Sequence, residues 1–222
     1  MHSSFEKLTL LKNKVKEIVD KKQLKNDPKI IVVTKTFSLN KISPLLDKGH
    51  LHFGENKIQE AESKWLEAKK RHKNLQLHMI GKLHTNKAKK AIKLFDYIHS
   101  LDDKKLALKL YQHEKELNKK CKFFIQVNLT EKDQKSGIML NHLSDFHKYC
   151  AKELSLNIIG LMCLPPANSK SDKYFKLLKK TAEQLNLKDL SMGMSSDYEQ
   201  AILNGSTYLR LGTIILGERN FN

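Results

Sequence analysis

Apolar positions along the chain follow two periods, and stretches of the two kinds alternate. Short runs with strand character recur as KIIVVTK, LHFGE, LQLHMIG, YIHSL, CKFFIQVN, NIIGLMCL, DLSMG and STYLRLG. Most are rich in β-branched or aromatic residues, and polar or turn-forming residues separate them. Between them lie KIQEAESKWLEAKKR, HTNKAKKAIKLF, DDKKLALKLYQHEKELNKK, LSDFHKYCAKEL and SDKYFKLLKKTAEQLN, whose apolar residues return near the helical period. A further helix near residues 4–24 precedes the first strand. Strict alternation predicts a parallel sheet, because parallel neighbours need a crossover long enough to hold a helix. Eight units without a long insertion predict a closed (β/α)8 barrel of the TIM type, with an open doubly wound sheet as the alternative. A dinucleotide-binding open sheet carries glycines after its first strand, and TKTFSLNK has none.

At 222 residues the chain suits one domain, so residues 1–222 are read as a single α/β barrel with an extra N-terminal helix. The opening MHSSFEKLTLLKNKVKEIV interrupts every apolar run with Lys or Glu, which predicts neither a secretory signal nor a membrane span and points to the cytoplasm. Cys121, Cys150 and Cys163 have no metal-type or disulfide-type spacing, and their odd count fits a reducing compartment. The net charge of +17 raises the possibility of nucleic-acid binding. Against it, Arg71, Arg210 and Arg219 are the only arginines, and the lysines are scattered over every predicted helix. A general lysine bias accounts for the charge, and no dedicated nucleic-acid site is expected.

Barrel chemistry gathers where strands end, and phosphates bind in the loops after the last two. In KIIVVTKT, Ile31, Val33 and Lys35 share one face. A lysine closing an apolar inward row loses hydration, which favours the neutral amine able to attack an aldehyde; a strand-end lysine reaching for water is the alternative. After the seventh strand, SMGMSSDYEQAI lets Ser195 or Ser196 cap a helix and present donors to an anion, and Gly212-Thr213 repeats the arrangement after the eighth. Ordinary capping explains Ser195 and Thr213 equally well. Arg210 shares an inward face with Tyr208 and Gly212, and a buried guanidinium needs a partner. Either Glu55 supplies it, or a ring nitrogen of a bound coenzyme does.

Eight segments carry a family resemblance: VVTKT, HFGENKIQE, LHMIGKLHTNK, FDYIHSLD, QVNLTEKDQKSGI, IIGLMCLPP, LSMGMSSDYEQAI and GSTYLRLGTIILGER. In order and spacing the chain resembles the pyridoxal phosphate homeostasis proteins, a family similar to the barrel domain of alanine racemase without its second domain. GEN or KSG alone is weak, whereas eight segments in sequence are specific. The resemblance implies pyridoxal 5'-phosphate as cofactor and Lys35 as its Schiff-base lysine. It also implies Ser195, Gly212 and Thr213 around the phosphate, Arg210 near the pyridine nitrogen and Asn56 near the ring side. Met162 is read as barrel packing that also touches the coenzyme, and Lys135 as a solvated loop lysine or a rim contact for an anion. Departures from the family pattern fall at His84 and Thr85, where glutamine and serine are usual, and at Cys163, where alanine is common. His78, between apolar neighbours, is read as a hydrogen-bonded core histidine.

The resemblance implies a coenzyme-binding role in intracellular vitamin B6 homeostasis without evident turnover. The expected protein is a monomer that hands its coenzyme to PLP-dependent apoenzymes. An arginine beside the pyridine nitrogen disfavours protonation there and weakens the ring as an electron sink, and the barrel leaves no residues for the second domain that gives racemases a tyrosine opposite the lysine. A PLP-dependent amino-acid racemase or lyase is the alternative, and a nucleic-acid-binding barrel is the third.

Overall fold

The computed structural model describes residues 3–130, 136–166 and 169–218. Eight parallel strands close a barrel: β1 (Lys29–Val33), β2 (His52–Glu55), β3 (Gln76–Met79), β4 (Tyr97–Leu101), β5 (Lys122–Asn128), β7 (Ile158–Met162), β8 (Asp189–Ser191) and β9 (Tyr208–Leu211). Each pairs with the next, and β9 returns to β1 with Ile31 opposite Arg210. The predicted single-domain (β/α)8 barrel is therefore what forms. An unpredicted two-residue strand, β6 (Ile138–Met139), pairs with the end of β5 outside the ring.

The helices are α1 (Ser4–Lys21), α2 (Leu39–Asp47), α3 (Ile58–Arg71), α4 (Ala88–Leu94), α5 (Lys104–Leu117), α6 (Leu140–Lys148), α7 (Asp172–Gln184), α8 (Tyr198–Leu203) and α9 (Thr213–Leu216). α1 starts on a capping box in which the Ser3 hydroxyl accepts from the Glu6 amide at 3.2 Å while the Ser3 amide donates to the Glu6 carboxylate at 2.7 Å. It ends three residues earlier than expected, at Lys21, before Gln23 turns to φ 48°. α2 was not among the predicted helices. Pro44 lies inside it, and the Asn40 carbonyl that a residue-44 amide would reach instead accepts the Ser43 hydroxyl at 3.2 Å.

Two apolar layers hold the barrel. Between sheet and helices, Val32, Phe53, Trp65, Ile98, Phe123 and Phe175 are buried, each burial worth about 1.5–3 kcal/mol for a large side chain. Inside the ring Ile31, Tyr97, Phe124, Met162 and Tyr208 pack together, so the barrel is filled at its middle and open at its mouth. Cys121, Cys150 and Cys163 are buried free thiols, as expected of packing residues, and burial pushes each up to about 12. Among the described residues no helix is long and apolar enough to cross a membrane.

Candidate coenzyme site at the barrel mouth

β1 stops at Val33, and Lys35 sits two residues beyond it, half-buried, between two anchored threonines. Thr34 is fully buried: its amide donates to the Gly54 carbonyl at 3.0 Å and its hydroxyl to Glu55 Oε1 at 2.6 Å. Its carbonyl accepts from Lys64 Nζ at 2.7 Å and from the Phe37 amide at 3.1 Å. The Thr36 amide is held by the Glu60 carboxylate, with Thr36 at φ 70°. A β-branched residue in that region is strained, so the turn carrying Lys35 is fixed by its neighbours.

Lys35 faces a cavity of about 560 Å³ at the C-terminal end of the strands. Asn56, Ser195, Arg210, Gly212 and Thr213 line the same cavity, so six of the seven residues singled out from sequence meet there. Met162 is the exception. It is fully buried in the layer beneath, among Ile31, Tyr97, Phe124 and Tyr208, and acts as packing without reaching the lining. Val33, Ile80, Leu164 and Met194 supply an apolar wall that sequence reasoning did not assign to the site. Their signal was position, since each stands at or just past a strand end. Lys135 lies outside the described residues.

Arg210 is 4 % exposed and does not pair with Glu55. Its Nη1 donates to the Ser191 hydroxyl at 2.7 Å and its Nη2 to the Cys163 carbonyl at 2.9 Å. Glu55 instead accepts at Oε1 from Thr34, from Lys64 at 2.8 Å and from Trp65 Nε1 at 2.8 Å, while its Oε2 is buried without a hydrogen-bond partner among the described residues. Burial draws the guanidinium pKa down from its ordinary value, with Cys163 and Asp197 opposing. Both protein oxygens on Arg210 are neutral, so its positive charge is left for the mouth.

The two turns differ from the capping expected. α8 takes Asp197 as its N-cap, and the Asp197 carboxylate accepts the Met194 amide at 2.7 Å, which closes a turn with Ser195 and Ser196 at its tip. Neither serine caps the helix, and both line the cavity. Gly212 is the N-cap of α9, and its carbonyl accepts from the Ile215 and Leu216 amides at 2.9 Å, so the preceding amides of Thr213 and Ile214 come before the first helical bond. A Cβ on Gly212 would stand 3.3 Å from the Val33 carbonyl oxygen, a tight contact that the end of β1 would have to yield to by a few tenths of an ångström.

His78 is fully buried and hydrogen-bonded on both ring nitrogens, to His52 and to His99 at 2.9 Å each. Burial holds His78 and His99 well below the usual imidazole range. It takes His52 down to about 4, with Lys29 and Lys122 adding to the shift. Among the described residues no group of three or more His, Cys, Asp or Glu is arranged to hold a metal.

The donor set fits a phosphorylated aromatic aldehyde: one amine, three hydroxyls and a guanidinium converge on a cavity with one apolar wall. The family described as alanine racemase, N-terminal domain, matches residues 7–220. A pyridoxal phosphate homeostasis protein of Synechocystis sp. is 38 % identical over 86 % of this chain and 91 % of its own. One from Escherichia coli is 31 % identical over 87 % of this chain and 86 % of its own. PipY of Synechococcus elongatus, solved with PLP bound, superposes with a TM-score of 0.81 at 32 % identity, covering 91 % of this chain and all of that one. Alanine racemase of Clostridium difficile shares the fold, with a TM-score of 0.72 at 15 % identity over 96 % of this chain and 56 % of that one. The chain belongs to the pyridoxal phosphate homeostasis proteins, a family built on the alanine racemase N-terminal barrel.

Proposed function

We propose that this protein binds pyridoxal 5'-phosphate at the barrel mouth and serves in vitamin B6 homeostasis without catalytic turnover. The observation that carries the reading is the convergence of Lys35, Asn56, Ser195, Arg210, Gly212 and Thr213 on one cavity. The presence of PLP in PipY supports it. When bound, the coenzyme supplies an aldehyde that condenses reversibly with a primary amine and releases water. Lys35 offers that amine from a clamped turn. Ser195, Thr213 and the amides following Gly212 bind the phosphate, Arg210 meets the pyridine nitrogen as a donor, and Asn56 borders the ring. Leu164 and Met194 give the ring an apolar border. The protein acts as a cytoplasmic monomer and passes its coenzyme to PLP-dependent apoenzymes.

Borohydride reduction of the protein incubated with pyridoxal phosphate, followed by peptide mapping, tests the reading. The pyridoxyl label is expected on Lys35, and Lys35→Ala is expected to fold normally and lose the absorbance of the lysine-bound coenzyme. A label on another lysine, with Lys35 unmodified, overturns the assignment.

A further inference from the structure

Four side chains join the base of the barrel to Arg210. His52 Nδ1 lies 2.9 Å from His78 Nε2, His78 Nδ1 2.9 Å from His99 Nε2, and His99 Nδ1 2.8 Å from Ser191 Oγ. Ser191 Oγ in turn accepts from Arg210 Nη1 at 2.7 Å. The chain crosses the barrel interior from β2 through β3 and β4 to β8 and β9. Tyr97 stacks on His78 at 4.2 Å and Phe124 on His99 at 4.3 Å, which holds both rings in place.

Its direction follows from the arginine. A guanidinium only donates, so Ser191 Oγ accepts at that end and its own proton goes to His99 Nδ1. His99 then carries its proton on Nε2 and donates to His78 Nδ1, and His78 Nε2 donates to His52 Nδ1. The opposite direction would place two N–H donors on the Ser191 oxygen. Its proton would then lack an acceptor, since His99 and Arg210 are the partners of that hydroxyl among the described residues. Burial keeps the imidazoles neutral, so each has one donor and one acceptor nitrogen.

We propose that Ser191, His99, His78 and His52 are positioning residues that solvate the buried Arg210 cation through one aligned chain, every imidazole in the Nε2–H tautomer with its lone pair toward the guanidinium. A carboxylate in the place of Ser191 would cancel the arginine's charge, whereas aligned neutral groups stabilise it and leave it directed at the mouth. The consequence for the coenzyme rests on the reading that Arg210 meets the pyridine nitrogen: a cation held at full charge keeps that nitrogen unprotonated.

Histidine-labelled apoprotein tests the chain by long-range ¹H–¹⁵N correlation at pH 7. His52, His78 and His99 are expected to show a protonated Nε2 and a bare Nδ1. Ser191→Ala removes the proton offered to His99, so the His99 tautomer is expected to mix, and Ser191→Thr, which keeps the hydroxyl, to restore it. In the protein with pyridoxal phosphate, Ser191→Ala is expected to weaken binding about tenfold, with recovery in Ser191→Thr. A charged ring or an Nδ1–H tautomer at His78 or His99 overturns the chain. An unchanged His99 tautomer together with unchanged affinity in Ser191→Ala overturns the positioning role. Failure of the wild type to take up coenzyme overturns the proposed function alone, because the tautomers are read without it.

Discussion

Glu55 and Lys64 form an ion pair at 2.8 Å with almost no access to water, the carboxylate side chain 0 % and the ammonium side chain 7 % exposed. The pair braces the turn that carries Lys35 from behind, because both partners also hold Thr34, the residue before it. A buried charge whose partner is removed is costly, so Lys64→Met is expected to lower stability by about 3–5 kcal/mol in equilibrium denaturation. Lys16→Met, which breaks an exposed pair with Asp20, is expected to cost less than about 1 kcal/mol. Equal losses from the two substitutions would refute this role for Lys64.

Thr36 carries strain that the Glu60 carboxylate helps to hold. Asparagine tolerates its left-handed conformation better than a β-branched residue does. Thr36→Asn is therefore expected to raise stability by about 1 kcal/mol, read as a shift of the urea midpoint at constant m-value. A loss of stability would show that the threonine side chain contributes more than its backbone costs.

Three buried histidines, His50, His78 and His99, and the half-buried His52 make the protein sensitive to acid. His50 and His52 are pushed down to about 4, chiefly by burial, and His78 and His99 lie well below the usual range. A base whose folded pKa is depressed gives stability that is complete above the unfolded value near 6.5 and is lost as pH falls from there through about 4. Each proton taken up on unfolding costs about 1.4 kcal/mol per pH unit across that window. His52, partly open to solvent, contributes less than the other three. Urea denaturation is expected to show stability falling steeply from about pH 6.5 to pH 5, and His50→Gln is expected to flatten the slope by close to one proton. A flat profile over that range would exclude the buried neutral histidines.

The strand order was legible because each barrel strand is a short apolar run between helical periods, and a closed barrel is what eight such runs can form. α2 was not, because Pro44 in LNKISPLLD reads as a breaker and its compensation by Ser43 is visible only in three dimensions. Parity along KIIVVTKT and STYLRLG brought Lys35 and Arg210 to the mouth, since alternation survives folding. Parity could not name Arg210's partner: charge logic pointed to Glu55, whereas Ser191 and the Cys163 carbonyl, on β8 and just past β7, are what it reaches. Parity also turned Met162 inward, and it packs one layer beneath the cavity lining, as its reading as barrel packing expects. Cap chemistry nominated Ser195 and Ser196, but Asp197, the acidic residue next in line, takes the helix start.

Gly212 separates space from hydrogen bonding at the two turns proposed to hold the phosphate. A side chain there meets the Val33 carbonyl oxygen at 3.3 Å and Val33 Cβ at 3.4 Å, so bulk at this position displaces either the end of β1 or the ligand. Ser195→Ala removes one donor, worth about 0.5–1.5 kcal/mol, and is expected to weaken pyridoxal phosphate binding up to about tenfold. Gly212→Val is expected to weaken it more. Titration of both variants with pyridoxal phosphate and with pyridoxal decides the matter: the two effects should be large for the first ligand and small for the second, and equal affinity of the wild type for the two ligands would remove the phosphate from these turns.

Turnover separates a carrier from an enzyme. Of the residues lining the mouth cavity, Lys35 and Arg210 are the titratable ones, and a guanidinium does not give up its proton near neutral pH. Among the described residues, proton transfer at the mouth therefore falls to the Lys35 amine, whereas interconverting the two hands of an amino acid needs a proton removed from one face and returned to the other. In the proposed binding mode Arg210, bonded among the described residues to neutral protein oxygens, adds a cation where a strong electron sink calls for a carboxylate. The purified protein is expected to exchange pyridoxal phosphate with solution and to reactivate a PLP-dependent apoenzyme, while racemising or cleaving amino acids far more slowly than about one per second. Chiral chromatography after prolonged incubation with single enantiomers measures the rate. Turnover at that rate, abolished by Lys35→Ala, would make the protein an enzyme; coenzyme that stays bound in the presence of an excess of apoenzyme would deny it the role of donor.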